Sequence, residues 1–576
     1  MSALPAATVP TTLVPRVEQP LPRRARDRDR WLAGAAVLAA LALLLAIVAL
    51  PVGALVRQSF YDRAGAFVGF ANFARYLANP ALVQSAFNSV WLAALSALLC
   101  TGIAYVYAYG LTLSCMPAKG LLRGIALVPL LAPSLLPAIS LVYLFGNQGV
   151  LKGWLGDTSI YGPLGMVLGS VFWTLPHALL ILTTAMATSD GRLYEAAQTL
   201  GASRWRIFRT VTLPASRYGL IVAGMVVFVL VITDFGVPKV VGGQTSVLAT
   251  DIYKQVVGQQ NFQMGAVVGF MLLIPAVLSF LVERRARGRQ SAALSARATP
   301  HVPEPVPARD RALLAACLLI AFCILVMIGM AVFASLATYW PYQLAPSLKN
   351  YDFGNMDGGG WGSYLNSLRL ALCVAFAGAI ASFLSAWLVE KPRHFGFLRE
   401  VLNFLANLPL AVPGLVLGVG YIFFFNAPAN PLRGLYGGMA ILVICTVAHF
   451  FSVAHLTSLT ALRQLDREYE LVSESMGVPA WRTLWRVHLP VALPTVINVA
   501  GYFFVNAMTT VSAVVFLYSP QTTLAAIAVL NMDDAGDVAP AAAMASLIML
   551  TAALGRGVFA LASRWVLART QAWRSR

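Results

Sequence analysis

The chain has 576 residues, of which 59% are hydrophobic and only 11% are charged, and its formal net charge is +18. Soluble globular proteins carry about 25% charged residues, so this composition excludes an ordinary soluble fold and favours a membrane protein. The Lys and Arg residues are dispersed over many short segments, which argues against a basic surface for nucleic acid.

Twelve mostly apolar stretches are each long enough to cross a bilayer as a helix. In chain order they are 31–56, 85–110, 120–145, 160–187, 218–238, 263–282, 312–336, 364–389, 398–425, 434–460, 491–517 and 540–562. The third, fifth and ninth carry the most Pro and Gly. The predicted fold class is therefore an all-α polytopic membrane protein.

The basic segment 23–30 directly precedes the first stretch. Basic flanks stay on the cytoplasmic side of a membrane, so this segment predicts a cytoplasmic N-terminus. With that assignment, the cytoplasmic segments hold 31 Lys and Arg residues, and the segments on the other side hold 8. Twelve spans then return the C-terminus to the cytoplasmic side.

The chain divides into a basic tail (1–30), a first domain (31–282), a linker (283–311) and a second domain (312–576). The linker is rich in Arg, Ala, Pro and Ser, which predicts an extended cytoplasmic segment. Short motifs recur in both domains: Asn88-Ser89 with Asn366-Ser367, and Pro129 and Pro133 with Pro409 and Pro413. An even number of spans separates the copies, so the two six-helix repeats are parallel, related by an axis along the membrane normal.

A polar segment between the fourth and fifth spans of each domain recurs at an offset of 276 residues. We call residues 190–214 the first island and residues 466–490 the second island. Their shared residues are Asp190, Gly201, Trp205-Arg206 and Leu213-Pro214, and Asp466, Gly477, Trp481-Arg482 and Leu489-Pro490. Two copies at matched positions indicate a surface for a paired soluble partner.

Each island is predicted to form a short helix, a sharp turn and a second short helix. Asp190 and Asp466 are typical N-caps, and Gly201 and Gly477 stand where a helix end favours a left-handed residue. An apolar stripe follows helical spacing: Leu193, Ala196, Ala197 and Leu200 in the first island, and Tyr469, Val472, Ser473 and Met476 in the second. The second helix starts near Ser203 or Pro479 and ends before Leu-Pro. The stripe either packs back on the bundle or docks to a partner, and the repetition favours docking.

The first island resembles the EAA loop of binding-protein-dependent ABC importer permeases, through Glu195-Ala196-Ala197, Gly201 and Leu213-Pro214. The resemblance implies a type I ABC importer permease fold whose islands dock to an ABC ATPase homodimer. It also implies a location in the bacterial inner membrane and a periplasmic solute-binding protein that delivers a small-molecule substrate. No segment reads GxxxxGK[ST], so no cofactor is expected in this chain, and ATP and Mg²⁺ would bind to the ATPase.

The second island departs from that pattern, because Leu471-Val472-Ser473 replace Glu-Ala-Ala and Glu470 is displaced by one position. The contacts that Glu195 makes in the first island therefore need no equivalent in the second island. We expect a charge reversal at Glu470 to be milder than one at Glu195.

The candidate gate lies between the fifth and sixth spans, where Asp234 can reach water or pair with Lys239. The alternative is a polar helix end followed by a Gly/Pro turn. The segment 234–262 resembles the fused permeases for ferric iron, thiamine and 2-aminoethylphosphonate, and is most similar to the last. That resemblance implies a phosphonate substrate, with ferric iron or thiamine as the alternative.

Two other classes of protein remain open on the residues alone. A secondary transporter can also have twelve spans, but it needs intramembrane charges for ion coupling, and this chain has few. An intramembrane enzyme needs a catalytic constellation that the sequence does not offer. His177, His449 and His455 lie in predicted spans, where they either bond to neighbouring helices or contact a substrate.

Overall fold

The computed structural model describes residues 23–293, 299, 301–355, 358–392 and 394–570. Most of the predicted tail 1–30, and residues 294–298 and 300 of the linker, lie outside the described residues. Within the described part, ten helices are long and apolar enough to cross a membrane, and two bent helix pairs raise the number to twelve. The all-α fold and the two repeats are therefore confirmed, with the differences described below.

Within the described residues, the first domain contains thirteen α-helices joined by short connections. They are α1 (Arg23–Leu44), α2 (Leu50–Gln58), α3 (Ala71–Leu77), α4 (Pro80–Leu113), α5 (Lys119–Leu127), α6 (Leu135–Phe145), α7 (Pro163–Ala187), α8 (Gly191–Thr199), α9 (Arg204–Ile207), α10 (Leu213–Ile232), α11 (Gly236–Val241), α12 (Leu248–Tyr253) and α13 (Phe262–Ala293). A π-helical turn joins α1 to α2, and another joins α9 to α10.

In its described residues, the second domain follows the same order without counterparts of α3 and α11, and adds one small hairpin. Its elements are α14 (Pro307–Leu336), β1 (Ala337–Tyr339), β2 (Gln343–Pro346), α15 (Gly360–Glu390), α16 (Gly396–Asn407), α17 (Gly414–Phe425), α18 (Met439–Arg463), α19 (Glu468–Ser475), α20 (Ala480–Thr483), α21 (Leu489–Thr509), α22 (Ala525–Ala535) and α23 (Val538–Thr570). β1 and β2 pair antiparallel.

The third and ninth predicted spans are sharply bent. The chain turns by 103° between Leu131 and Leu135, and by 113° between Ala411 and Gly414. The residues that precede Pro133 and Pro413 adopt extended backbone angles, with ψ of 141° at Ala132 and 114° at Val412. A proline disfavours helical geometry at the residue before it, so the recurring Pro-x-x-x-Pro motif breaks both spans at the same place.

Two sets of predicted boundaries are wrong. The fifth and eleventh spans begin inside the islands and run over Arg204–Ile232 and Ala480–Thr509 rather than 218–238 and 491–517. The linker is not extended throughout, because α13 continues to Ala293 and α14 already starts at Pro307. Glu, Arg and Ala at 283–293 are good helix formers, and proline is favoured at the first helical position, which accounts for both helical ends.

Each domain's first helix packs against the other domain. The Tyr421 hydroxyl donates to the Ile47 carbonyl at 2.7 Å, and a Cβ on Gly420 would come within 2.5 Å of the Pro51 carbonyl oxygen. In the opposite direction, a Cβ on Gly110 would lie 3.0 Å from Cys317 Sγ of α14. The two domains are therefore interlocked through their first helices.

The repeat extends to single hydrogen bonds. Ser89 Oγ accepts from the backbone N–H of Leu248 at 2.7 Å, and Ser367 Oγ accepts from that of Ala525 at 2.8 Å. These bonds satisfy the first N–H groups of α12 and α22, which have no partner within their own helices. The two Asn-Ser pairs thus hold the same short helix in each domain.

Candidate functional site

The first island has the predicted helix–turn–helix form. The Asp190 carboxylate accepts from the backbone N–H of Arg192 at 3.1 Å at the start of α8. Gly201 follows that helix with φ of +70°, in the left-handed region that favours glycine. Ser203 Oγ then accepts from the N–H of Arg206 at 3.3 Å and caps α9.

The apolar stripe of the first island is open to solvent. Leu193 is 54% exposed and Leu200 is 86% exposed, and Ala196 and Glu195 are exposed beside them. Ala197 is half-buried, whereas Tyr194, which the sequence analysis did not select, is buried on the inner side of α8. The stripe therefore does not pack back on the bundle.

The second island has the same form with a shifted start. The Asp466 carboxylate accepts from the backbone N–H of Glu468 at 3.1 Å, but the helix begins at Glu468, so Arg467 rather than Asp466 holds the N-cap position. Gly477 has φ of +66°, and α20 begins after Pro479. The side chains of Tyr469, Val472 and Met476 are exposed, and Ser473 is half-buried.

Glu470 points inward, unlike Glu195. Its Oε1 lies 2.6 Å from Lys391 Nζ and 3.0 Å from His488 Nε2. Trp387 Nε1 lies 3.0 Å from His488 Nδ1. An indole N–H can only donate, so His488 accepts at Nδ1 and carries its proton at Nε2, where it donates to Glu470. Glu470 thereby ties α19 to the end of α15 and the start of α21.

In neither island does the second helix end before Leu-Pro, contrary to the prediction. Five-residue π-helical turns, Phe208–Thr212 and Leu484–His488, connect it to α10 and to α21. A proline inside a regular α-helix removes one hydrogen bond and crowds the preceding turn, and the wider π turn accommodates Pro214 and Pro490 without a break. Each island is consequently continuous with a membrane helix.

Asp234 and Lys239 do not pair with each other. Asp234 is buried, and its two oxygens accept from the backbone N–H groups of Gly236 at 3.3 Å and Val237 at 3.0 Å. The carboxylate therefore caps the start of α11. Its burial keeps it from water, and the two backbone N–H groups replace the hydrogen bonds that water would provide. The alternative reading, a polar helix end with a Gly/Pro turn, describes Asp234.

Lys239 instead joins the two domains. Its Nζ lies 2.9 Å from Asp534 Oδ1 on α22 and 5.5 Å from the centre of the Tyr253 ring. Burial, and then the Asp534 carboxylate, raises the pKa of Asp533 to about 6, while Lys239 opposes that shift. Since α10 runs from the first island to Ile232, this cluster lies at the end of the bundle away from the islands. We call Lys239, Asp533 and Asp534 the far-side charge cluster.

The island side of the bundle contains a cleft of 960 Å³ between α13 of the first domain and α16, α18 and α21 of the second. Polar residues in its wall include Glu283, Glu400, Asn403, Asn407, Thr457 and Gln464. Of the three histidines in predicted spans, His455 is held structurally, with Ser385 Oγ at 3.2 Å from Nδ1 and Asn403 Oδ1 at 3.2 Å from Nε2. The interior thus combines a polar cleft on one side with a charged contact on the other.

The sequence profile of the family described as "Binding-protein-dependent transport system inner membrane component" matches residues 110–289 and 378–567. Each matched range contains one island. The two ranges together cover more than half of the chain.

Among curated proteins, the chain is 26% identical over 546 residues to the ferric transport system permease protein FbpB of Actinobacillus pleuropneumoniae, covering 91% of this chain and 77% of that protein. It is 26% identical over 216 residues to the putative 2-aminoethylphosphonate transport system permease protein PhnV of Salmonella paratyphi A, covering 37% and 78%. A solved bacterial alginate ABC transporter, in complex with an alginate pentasaccharide-bound periplasmic protein, matches with 18% identity and a TM-score of 0.39, covering 47% of this chain and 99% of that one.

Proposed function

The chain belongs to the family of binding-protein-dependent transport system inner membrane components, and from this premise we propose that it is the permease subunit of an ATP-driven importer. A separate ABC ATPase homodimer would bind ATP and Mg²⁺ and dock one subunit at each island. A periplasmic solute-binding protein would deliver a small molecule to the opposite side. The observation that carries the proposal is the pair of solvent-exposed apolar helices at matched positions, since exposed apolar patches mark interaction surfaces.

The continuity of each island with a membrane helix supports a mechanism of energy coupling. After the glycine turn, the second helix of each island runs without a break into a membrane helix, over Arg204–Ile232 in the first island and Ala480–Thr509 in the second. A displacement of an island by the ATPase therefore moves a membrane helix directly. Alternating access then needs only two arrangements of the domains, one with the island-side cleft open and one with it closed.

The orientation of the chain follows from its charge. The predicted cytoplasmic segments, which include both islands, hold most of the Lys and Arg residues. We therefore place both islands and both termini in the cytoplasm and the far-side charge cluster toward the periplasm. The hydrocarbon of the lipid bilayer covers the exposed apolar sides of the long helices.

The first test is reconstitution of the purified chain in liposomes. We expect it to co-purify with two copies of the ATPase for each permease, because the chain carries two islands, and to transport only when the ATPase and ATP are present. Transport by the chain alone in an ion gradient would instead show a secondary transporter. A complex with one ATPase would contradict the docking of both islands.

For the substrate, we propose 2-aminoethylphosphonate. The similarity to PhnV supports this choice. The far-side charge cluster, which we place at the periplasmic mouth of the transport path, also supports it, because the Lys239 ammonium lies close to the carboxylates of Asp533 and Asp534. 2-Aminoethylphosphonate is a zwitterion with an ammonium group and a phosphonate group. The far-side charge cluster carries charges of both signs and could therefore contact both groups. Ferric iron is the second candidate, because the match to FbpB covers 91% of the chain rather than 37%.

Growth of a deletion strain separates the two substrates. We expect the strain to fail on 2-aminoethylphosphonate as sole phosphorus source and to grow normally on phosphate and under iron limitation. Complementation with the chain should restore growth on the phosphonate. Normal growth on the phosphonate, together with a defect under iron limitation, would instead establish ferric iron as the substrate.

The far-side ion pair gives a further prediction. Lys239→Glu places a third carboxylate beside Asp533 and Asp534, so the closed periplasmic mouth should be weakened by about 1 kcal/mol, as for a partly exposed pair. We expect uptake to fall by about fivefold at most. Asp534→Lys alone should also lower uptake, and the swapped pair, Lys239→Glu with Asp534→Lys, should recover much of the loss. If the swap is no better than either single change, the pair does not hold the mouth closed.

A further inference from the structure

The described end of the linker lies against the first island. The Thr299 carbonyl accepts from the backbone N–H of Gly191 at 2.8 Å. One helical turn further, the His301 ring stacks on the Tyr194 ring, with centroids 4.0 Å apart and an angle of 16° between the planes. The linker therefore contacts the inner side of α8 at two places, Gly191 and Tyr194, and we call these two contacts the grip.

This contact is close enough that a side chain at position 191 would be crowded. A Cβ on Gly191 would lie 3.1 Å from the His301 Cα and 3.2 Å from the Thr299 carbonyl oxygen. Burial lowers the pKa of the His301 imidazole, which favours the neutral ring that stacks on Tyr194. The linker is therefore in direct van der Waals contact with α8, through the backbone at Gly191 and through the stacked rings of Tyr194 and His301.

The linker is also fixed at its other end. Cys115 Sγ donates to the Pro303 carbonyl at 3.1 Å, and the Val306 N–H donates to Asp310 Oδ2 at 2.9 Å, where α14 begins. Only a few residues of chain separate His301 from Pro307, the first residue of α14. Since α14 belongs to the second domain but packs on the first, a movement of α8 must either carry this segment or break the grip.

The second island is held by different contacts. The start of α1, from the first domain, contacts this island in place of the linker. Its Asp29 carboxylate accepts from the backbone N–H of Ala480 at 3.3 Å. Among the described residues, no aromatic stack on α19 corresponds to that of Tyr194 and His301, and Glu470 provides the inward anchor instead. The two islands thus have unequal supports.

We propose that Tyr194 and His301 are positioning residues for the first ATPase-docking site, and that the linker sets the placement of α8 that productive coupling needs. This inference rests on the proposed function. The grip leaves the outer stripe free, because Leu193 and Leu200 remain exposed while Tyr194 is buried. The linker therefore does not compete with the ATPase, because it contacts the inner face of α8 and the ATPase would bind to the outer face.

The experiment uses the complete importer in liposomes, with the ATPase and the solute-binding protein, and measures the solute moved per ATP hydrolysed. We expect His301→Ala to lower this ratio by about twofold to tenfold, the range for loss of one aromatic pair, with no change in ATPase stoichiometry. His301→Phe keeps a flat ring against Tyr194 and should restore the ratio. Val302→Ala is the matched control, because Val302 is the next residue and is 80% exposed.

The outcomes separate this inference from the proposed function. If the wild-type complex hydrolyses ATP and transports, and His301→Ala keeps the wild-type ratio, the positioning role is wrong and the proposed function stands. A His301→Phe variant as defective as His301→Ala would also overturn the role of stacking. If the wild-type chain binds no ATPase, the proposed function itself fails.

Discussion

Glu470→Lys is expected to abolish uptake, and to do so more completely than Glu195→Lys. The new ammonium would replace the carboxylate that contacts Lys391 and His488, and both of those side chains are almost fully buried. Breaking a buried ion pair by removing one partner costs about 3–5 kcal/mol, and the like charge adds to that cost. Uptake and the amount of chain in the membrane are the two measurements, since both folding and coupling depend on this contact.

Two further variants show which property of Glu470 matters, and Glu195→Lys is the comparison. Glu470→Gln keeps an acceptor for His488 but removes the charge, so we expect an intermediate loss. Lys391→Met combined with Glu470→Gln leaves no unpaired charge and should be milder than Glu470→Lys, because replacing both members of a buried pair costs less than removing one. Glu195→Lys changes only an exposed side chain and should reduce uptake partially. Equal losses for the two lysine variants would contradict the anchoring role of Glu470.

The expected severity of Glu470→Lys is the opposite of the one drawn from the sequence. The displacement of Glu470 from the Glu-Ala-Ala position indicated that the contacts of Glu195 need no equivalent there, yet that shift of one residue turns the side chain by about 100° around the helix, away from the docking surface. One partner, Lys391, directly follows α15 and is distant in the chain, and the other, His488, lies in the π turn before α21 at the opposite end of the second island. No local pattern connects Lys391 or His488 to Glu470, so only the packed structure shows the contact.

Features that depend on local chemistry were predictable. Gly201 and Gly477 have the expected left-handed backbone, and Asp190 caps its helix, because each depends on a few neighbouring residues. The twelve spans follow from apolar length alone, whereas the sharp bends at Pro133 and Pro413 require the proline to be read as a break within a span. Lys239 illustrates the limit: Asp234 is its neighbour in sequence, but its partner is Asp534 in the other domain.

Gly201→Pro should abolish coupling at the first island. Proline fixes φ near −65°, whereas Gly201 has φ of +70°, so the substitution must redirect the chain between α8 and α9. A Cβ at Gly201 meets no atom within 4 Å, so the cost of any replacement is one of backbone geometry alone. Gly201→Ala should therefore cost roughly 1–2 kcal/mol, and Gly201→Asn less, because Asn tolerates the left-handed region.

The expected order of activity is Gly, Asn, Ala and Pro, measured as ATP-dependent uptake at equal amounts of chain in the membrane. Gly477, with φ of +66°, should give the same order, since the turn is shared by both islands. Gly124→Ala is the matched control, because Gly124 lies within α5, also has no atom within 4 Å of a Cβ, and has no positive φ. If Gly201→Pro transports as well as Gly201→Ala, the left-handed turn does not set the angle between the two helices, and the islands couple through α8 and α19 alone.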